Sequence, residues 1–118
     1  MAKPSEIVRS YYEAFEKHDF QKARSLMHDK FRFVGPLMEA NSPEELFAKM
    51  KDMGCEFKTH ILQMAESGST VAVLVDCTMT KPAPAKLRMS EWLTVENGKI
   101  ASSTLVYDTA QMPKSTQA

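Results

Sequence analysis

KLRMSEWLTVENGKIASSTLVYD, residues 86–108, decides how this chain folds. It reads as two antiparallel strands joined at Asn97-Gly98. A type I′ turn needs φ > 0 at both central residues, and Asn and Gly tolerate that best. On the first strand Leu87, Met89, Leu93 and Val95 share one face, and Glu91 falls among them. A carboxyl in the middle of an apolar strand face is unusual and marks a candidate site.

Upstream of the hairpin the pattern stays β. Residues 56–65 and 70–80 read as two further strands with a turn at Glu66-Ser67-Gly68-Ser69. The second, TVAVLVDCTMT, is almost continuous in apolar and β-branched residues, which predicts cover on both faces. Lys81-Pro82-Ala83-Pro84-Ala85 is a rigid connector to the strand at 86–96, and the last strand covers 100–107. Together they form a four-stranded meander.

The N-terminal half is helical. Ser5 is the expected cap of a helix over 5–17, with Val8, Tyr11 and Phe15 on one apolar face at i, i+3 and i+7. Tyr12 lies at the edge of that stripe. Asp19 caps a second helix over 19–28 that buries Phe20, Ala23, Leu26 and Met27. FRFV, residues 31–34, makes a short strand ending at Gly35-Pro36. Ser42, Pro43 and Glu45 open a third helix: a side-chain cap, a proline where the missing N–H costs nothing, and the acid of a capping box. Leu46, Phe47 and Met50 form its apolar side, and Met53-Gly54 ends it. Three helices before a meander predict one α+β domain over residues 1–118, with helices on one face of a curved antiparallel sheet. A polar tail frays from about residue 109.

Composition narrows the function. The 118 residues suit one domain, and 43% hydrophobic content supports one core. Fifteen basic and fifteen acidic side chains cancel with no block of one sign, which argues against nucleic acid as a partner. MAKPSEIV lacks a signal core and no apolar run spans a bilayer, so a soluble cytoplasmic protein is expected, with no membrane partner. Cys55 and Cys77 are open to two readings, a disulfide or two buried free thiols, and the second fits a reducing cytosol. Nine methionines suit irregular gaps and adaptable pockets. His18, His28 and His60 have no metal-ligand spacing, so no metal is expected. No Gly-rich phosphate loop, CxxC, HExxH or GxSxG occurs, and no cofactor is expected.

Two longer strings carry a family resemblance. IVRSYYEAFEKHDFQKARSLMHDKFRFVGP, residues 7–36, resembles the opening of nuclear-transport-factor-2-like (NTF2-like) proteins, nearest the SnoaL-like cyclases and ketosteroid isomerases. ENGKIASSTLVYDTAQM, residues 96–112, resembles their final hairpin. The resemblance implies a cystatin-like α+β cone with a deep apolar pocket, and commonly a homodimer through the outer sheet face. It implies isomerase, cyclase or dehydratase chemistry for some members and none for others. Ketosteroid isomerase uses a carboxylate base and an oxyanion hole of a tyrosine and a protonated aspartic acid. By resemblance Tyr11 takes the tyrosine position, Glu91 the protonated acid, and Gly35 the base. Glycine cannot take a proton.

The candidate site residues each have two readings. Glu91 is a desolvated pocket acid, or a carboxylate paired to a helix lysine or arginine. Tyr11 donates into the pocket, or is a core tyrosine whose hydroxyl reaches water at the rim. Both are the candidate catalytic residues, with Phe15, Phe33, Met89 and Leu93 as further ligand contacts. His60 and Asp76 are structural, or stand in for the missing base. Trp92 has the opposite parity to Glu91 and is the expected dimer anchor on the outer face. The expected function is binding of a small apolar carbonyl or hydroxyl compound in the cone, with isomerase-, cyclase- or dehydratase-type turnover open. The alternative is a non-catalytic, dimeric protein-interaction module.

Overall fold

The computed structural model describes residues 2–112. Its elements run α1 (Pro4–Glu16), α2 (Phe20–Ser25), β1 (Met27–Val34), β2 (Glu39–Ala40), α3 (Pro43–Met53), β3 (Glu56–Ser67), β4 (Thr70–Lys81), β5 (Ala85–Glu96) and β6 (Lys99–Val106). A 3₁₀ turn, Thr109–Gln111, follows. The strands form one sheet in the order β2-β1-β6-β5-β4-β3. Three helices on a curved sheet make an α+β cone. All pairings are antiparallel except β1 with β6, which the local pattern did not foretell.

The β5–β6 hairpin turns as its sequence requires, with Asn97 at φ 52° and Gly98 at φ 77°. Inward on β5 come Leu87, Met89, Glu91, Leu93 and Val95; inward on β4 come Val71, Val73, Val75, Cys77 and Met79. Val8 and Tyr11 of α1, Phe31 and Phe33 of β1, and Leu46 of α3 close the core over them.

Several boundaries move. Pro4 takes the first turn of α1 and Lys3 the cap position, so Ser5 lies inside the helix; its N–H donates to Glu66 at 2.8 Å. Asp19 does cap α2, accepting from the Lys22 N–H at 3.1 Å. That helix stops at Ser25 because the next residues join the sheet: Met27 registers with Ile100, whose N–H donates to the Leu26 carbonyl at 2.8 Å. Ser42 caps α3 through the Glu45 N–H at 3.1 Å. Glu45 returns to the Asn41 N–H at 3.1 Å rather than to Ser42, so the box closes one residue early. Gly54 ends α3 at φ 64°, where a side chain would be strained.

Two further expectations are corrected. The chain from residue 109 is ordered at first: Asp108 accepts from the Ala110 N–H at 3.0 Å, and Met112 is buried among Cys77, Met79 and Leu87. Residues 113–118 lie outside the described residues. The even-numbered face of β4 is uncovered, because no layer among the described residues packs there. Leu74 on β4 and Trp92 on β5 are exposed on that face.

A candidate ligand cavity

A cavity of about 180 Å³ lies between the helices and the concave sheet. Tyr11, Tyr12 and Phe15 reach it from α1, Phe33 from β1, and Leu46, Met50 and Met53 from α3. Phe57, Thr59, Val75, Cys77, Met79, Met89, Glu91 and Leu105 line it from β3 to β6. Met38, Cys55, Tyr107 and Met112 complete the wall. Leu93 does not reach it. That side chain is fully buried in the core beneath the helices, because the cavity opens toward the other end of β5.

Glu91 is the one carboxyl on this wall among the described residues, and it is buried. No lysine or arginine among the described residues pairs with it. Instead Tyr12 donates to one of its oxygens and Ser103 to the other, both in short hydrogen bonds. Burial pushes the carboxyl above its ordinary range, and the two donors offset that only in part. The donor to Glu91 is thus Tyr12, the neighbour of Tyr11 in the chain. One helical step of about 100° separates them, and the step carries the Tyr12 hydroxyl to the carboxyl.

Tyr11 is also buried and also lines the cavity. Its ring meets Phe15 edge-on at 4.8 Å and Tyr12 at 6.4 Å. No described residue hydrogen-bonds its hydroxyl, yet no sealed side-chain polar atom lacks a partner. The Tyr11 hydroxyl therefore keeps some accessible surface, and its residue lines the cavity. Burial first, and the Glu91 charge second, hold its proton on well above the ordinary phenol range. A neutral phenol without a partner, on a residue that lines an apolar hollow, is a hydrogen-bond donor waiting for an acceptor.

Where the resemblance put a base, Gly35 turns the chain, donating its N–H to the Met38 carbonyl at 2.8 Å. A Cβ there would lie 3.1 and 3.3 Å from the Phe33 ring. The two other candidate bases face away from the cavity. Asp76 holds Arg88 through two bonds of 2.8 and 3.0 Å, and His60 registers opposite Asp76. A bulge between Ile61 and Gln63 flips the parity of β3, so His60 faces outward although Met64 faces in. His28 accepts from the Lys30 N–H at 3.0 Å, and His18 sits exposed beyond α1. Among the described residues no cluster of histidine, cysteine and carboxylate could hold a metal.

Both cysteines are free thiols on the cavity wall. Burial pushes the Cys77 thiol up to about 11, and Cys55 rises for the same reason. On the outer face Trp92 is 52% exposed and its indole N–H donates to Ser90 at 3.0 Å. No helix among the described residues is long and apolar enough to cross a membrane.

The sequence left two members of the site unread, Tyr12 and Ser103. Ser103 was hidden by an irregularity: Thr94 registers with Ser102 but Val95 with Ile100, so β6 carries one extra residue. Ile100 and Ser103 both face in, which simple alternation forbids. A tyrosine beside the apolar stripe of α1 was the only available signal for Tyr12.

Residues 8–103 match the family model described as a SnoaL-like domain, and the chain belongs to that family. No curated protein matches the chain in sequence. Among solved structures, an NTF2-like protein of unknown function from Burkholderia pseudomallei K96243 superposes with a TM-score of 0.85 at 23% identity, covering 100% of both chains. A putative ketosteroid isomerase from Kribbella flavida DSM 17836 gives 0.80 at 15% identity, over 93% of this chain and 81% of that one. An LEH-like epoxide hydrolase of M. tuberculosis gives 0.81 at 15%, over 94% and 86%. At these identities the likeness is one of fold.

Proposed function

We propose that this protein is a cup for a small apolar compound bearing a carbonyl or hydroxyl oxygen. The observation that carries the reading is the Tyr11 hydroxyl, without a partner among the described residues, on the same largely apolar wall as buried Glu91. The ligand oxygen accepts from Tyr11, and its body rests against Phe15, Phe33 and Met89. A donor on a carbonyl oxygen stabilises the enolate that forms when a neighbouring proton leaves. Among the described residues Glu91 is the only carboxyl on the wall that can take that proton, and both its oxygens already accept hydrogen bonds. Binding is therefore the first reading. Turnover of the isomerase, cyclase or dehydratase kind is second, without a metal or organic cofactor.

The test is a thermal-shift screen of small ketones and alcohols, since a ligand of the folded state raises its stability. Binders should stabilise the wild type and act several-fold more weakly on Tyr11→Phe. Exchange of the protons beside the carbonyl in D₂O, read by NMR and lost in Glu91→Gln, would establish proton transfer. A screen without binders, or equal binding by Tyr11→Phe, overturns the reading.

A specific observation favours a second role, as a dimer of this chain. Leu62, Leu74, Trp92 and Val106 are exposed on adjacent strands of the open sheet face. Leu74 registers with Ser90 and Ser90 with Val106, while Trp92 lies between Ala72 and Thr104 one row along. Such a patch suits a second copy laid sheet to sheet. Sedimentation should show a dimer that Trp92→Lys dissociates without unfolding. A monomer at high concentration would exclude it.

A further inference from the structure

We infer that the ligand is a single-ring aromatic ketone or aldehyde; this rests on the carbonyl-binding reading above and narrows it. Three observations converge on that class.

The first is size. A cavity of about 180 Å³ is close to the roughly 150 Å³ apolar hollow that takes up benzene. One ring with a short substituent fills it. A larger fused-ring skeleton overfills that volume and would extend through the open side of the cavity.

The second is the chemistry of the wall. Met38, Met50, Met53, Met79, Met89 and Met112 all line it, six of the chain's nine methionines, together with both thiols. Thioether sulfur is polarizable and makes favourable contacts with aromatic rings at about 5 Å, commonly at the ring edge. An unbranched side chain with three rotatable bonds also closes onto a flat face where a leucine would leave a gap. A saturated ring of equal volume gains none of the sulfur–ring attraction. Most of these methionines are not in the fully buried core, which branched side chains and Phe31 dominate. The sulfur is concentrated where a ligand would lie.

The third is the polar end. The Tyr11 hydroxyl has no partner among the described residues, while both Glu91 oxygens already accept, from Tyr12 and Ser103. A ligand whose oxygen only accepts satisfies Tyr11 and asks nothing of Glu91. A carbonyl does so. A phenol or alcohol brings its own proton, which then needs an acceptor.

The experiment compares acetophenone, cyclohexyl methyl ketone and 2-acetylnaphthalene by titration calorimetry, with protein carrying ¹³C-labelled methionine methyls observed by NMR. Acetophenone should bind about fivefold more tightly than its saturated analogue, the gain expected from one or two sulfur–ring contacts. It should shift several methionine methyl signals by ring current, and the two-ring ketone should bind more weakly. Met79→Leu/Met89→Leu, checked for folding by its melting curve, should erode the preference for the aromatic ring. Should that variant unfold, the wild-type comparison alone decides. Equal affinity for the saturated ketone, or tighter binding of the two-ring ketone, overturns the inference and leaves the carbonyl-binding cup standing. Failure of all three ketones to bind folded protein overturns the inference; the cup falls with it only if the wider screen of ketones and alcohols also finds no binder.

Discussion

The hydroxyl of Tyr12 donates to Glu91, while that of Tyr11, its neighbour in the chain and also on the cavity wall, has no partner among the described residues. The two tyrosines therefore answer differently to loss of the hydroxyl. Tyr12→Phe leaves a buried carboxyl oxygen without its donor and should cost about 1–3 kcal/mol of stability. Tyr11→Phe removes a group that bonds nothing and should leave stability within about 0.5 kcal/mol. Urea unfolding of both variants checks this. Equal losses would mean that Tyr11 holds the fold rather than facing a ligand.

Glu91 makes stability depend on pH. Burial raises its carboxyl above the ordinary value of 4.5, and the Tyr12 and Ser103 donors lower it only in part. The folded chain then keeps that proton to a higher pH than the unfolded chain does. The stability contributed is fully present below the ordinary value and is lost as pH rises through the raised one. Glu91→Gln cannot lose a proton. The difference in unfolding free energy between wild type and Glu91→Gln should therefore shift against the wild type as pH climbs above 4.5, then level off. Titrations common to both proteins cancel in that difference. Parallel curves would show that Glu91 is ionised in the folded state at ordinary acidity.

What could be read from sequence was whatever repeats locally. The hairpin at Asn97-Gly98 was legible because a two-residue turn fixes the register of everything beside it. Ser42 and Pro43 were legible because helix caps are made by neighbours in the chain. Glu91 stood out because alternation along β5 runs without a bulge up to Thr94. The rest depended on partners far away. Met27 was drawn from a helix into a strand by parallel pairing with β6. Bulges in β3 and β6 reversed the sides of His60 and Ser103. Choosing Tyr12 over Tyr11 turned on the rotation of α1 against the sheet, which a helical pattern sets to no better than a residue.

Cys77 should be slow toward thiol reagents at neutral pH. Only the thiolate attacks, and burial pushes this thiol up to about 11. Cys55 is half-buried on the same wall and should label first. Mass spectrometry after timed alkylation separates the two sites, and full denaturation should equalise them. A cavity ligand should slow labelling at Cys55. Rapid labelling of Cys77 in the folded protein would indicate that this end of the cone opens.

Gly35 shows why a second carboxyl is not simply added to this cavity. Its Cβ would stand 3.1 and 3.3 Å from the Phe33 ring and 3.4 Å from the Met38 carbonyl. The ring has the hollow beside it and can swing, but doing so disturbs the packing of a buried phenylalanine. Gly35→Asp should therefore cost about 1–3 kcal/mol, the usual range for overfilling a packed site. Phe33→Leu withdraws the atoms that would clash. In Gly35→Asp/Phe33→Leu the two losses should be less than additive, by about 0.5 kcal/mol or more. The same double variant sets a carboxylate beside the cavity without the ring in its way. If proton transfer in this cup is limited by the lack of a base, exchange of the protons beside a bound carbonyl should run faster in the double variant than in wild type. Additive losses in urea unfolding would show that Phe33 and Gly35 do not compete for one space.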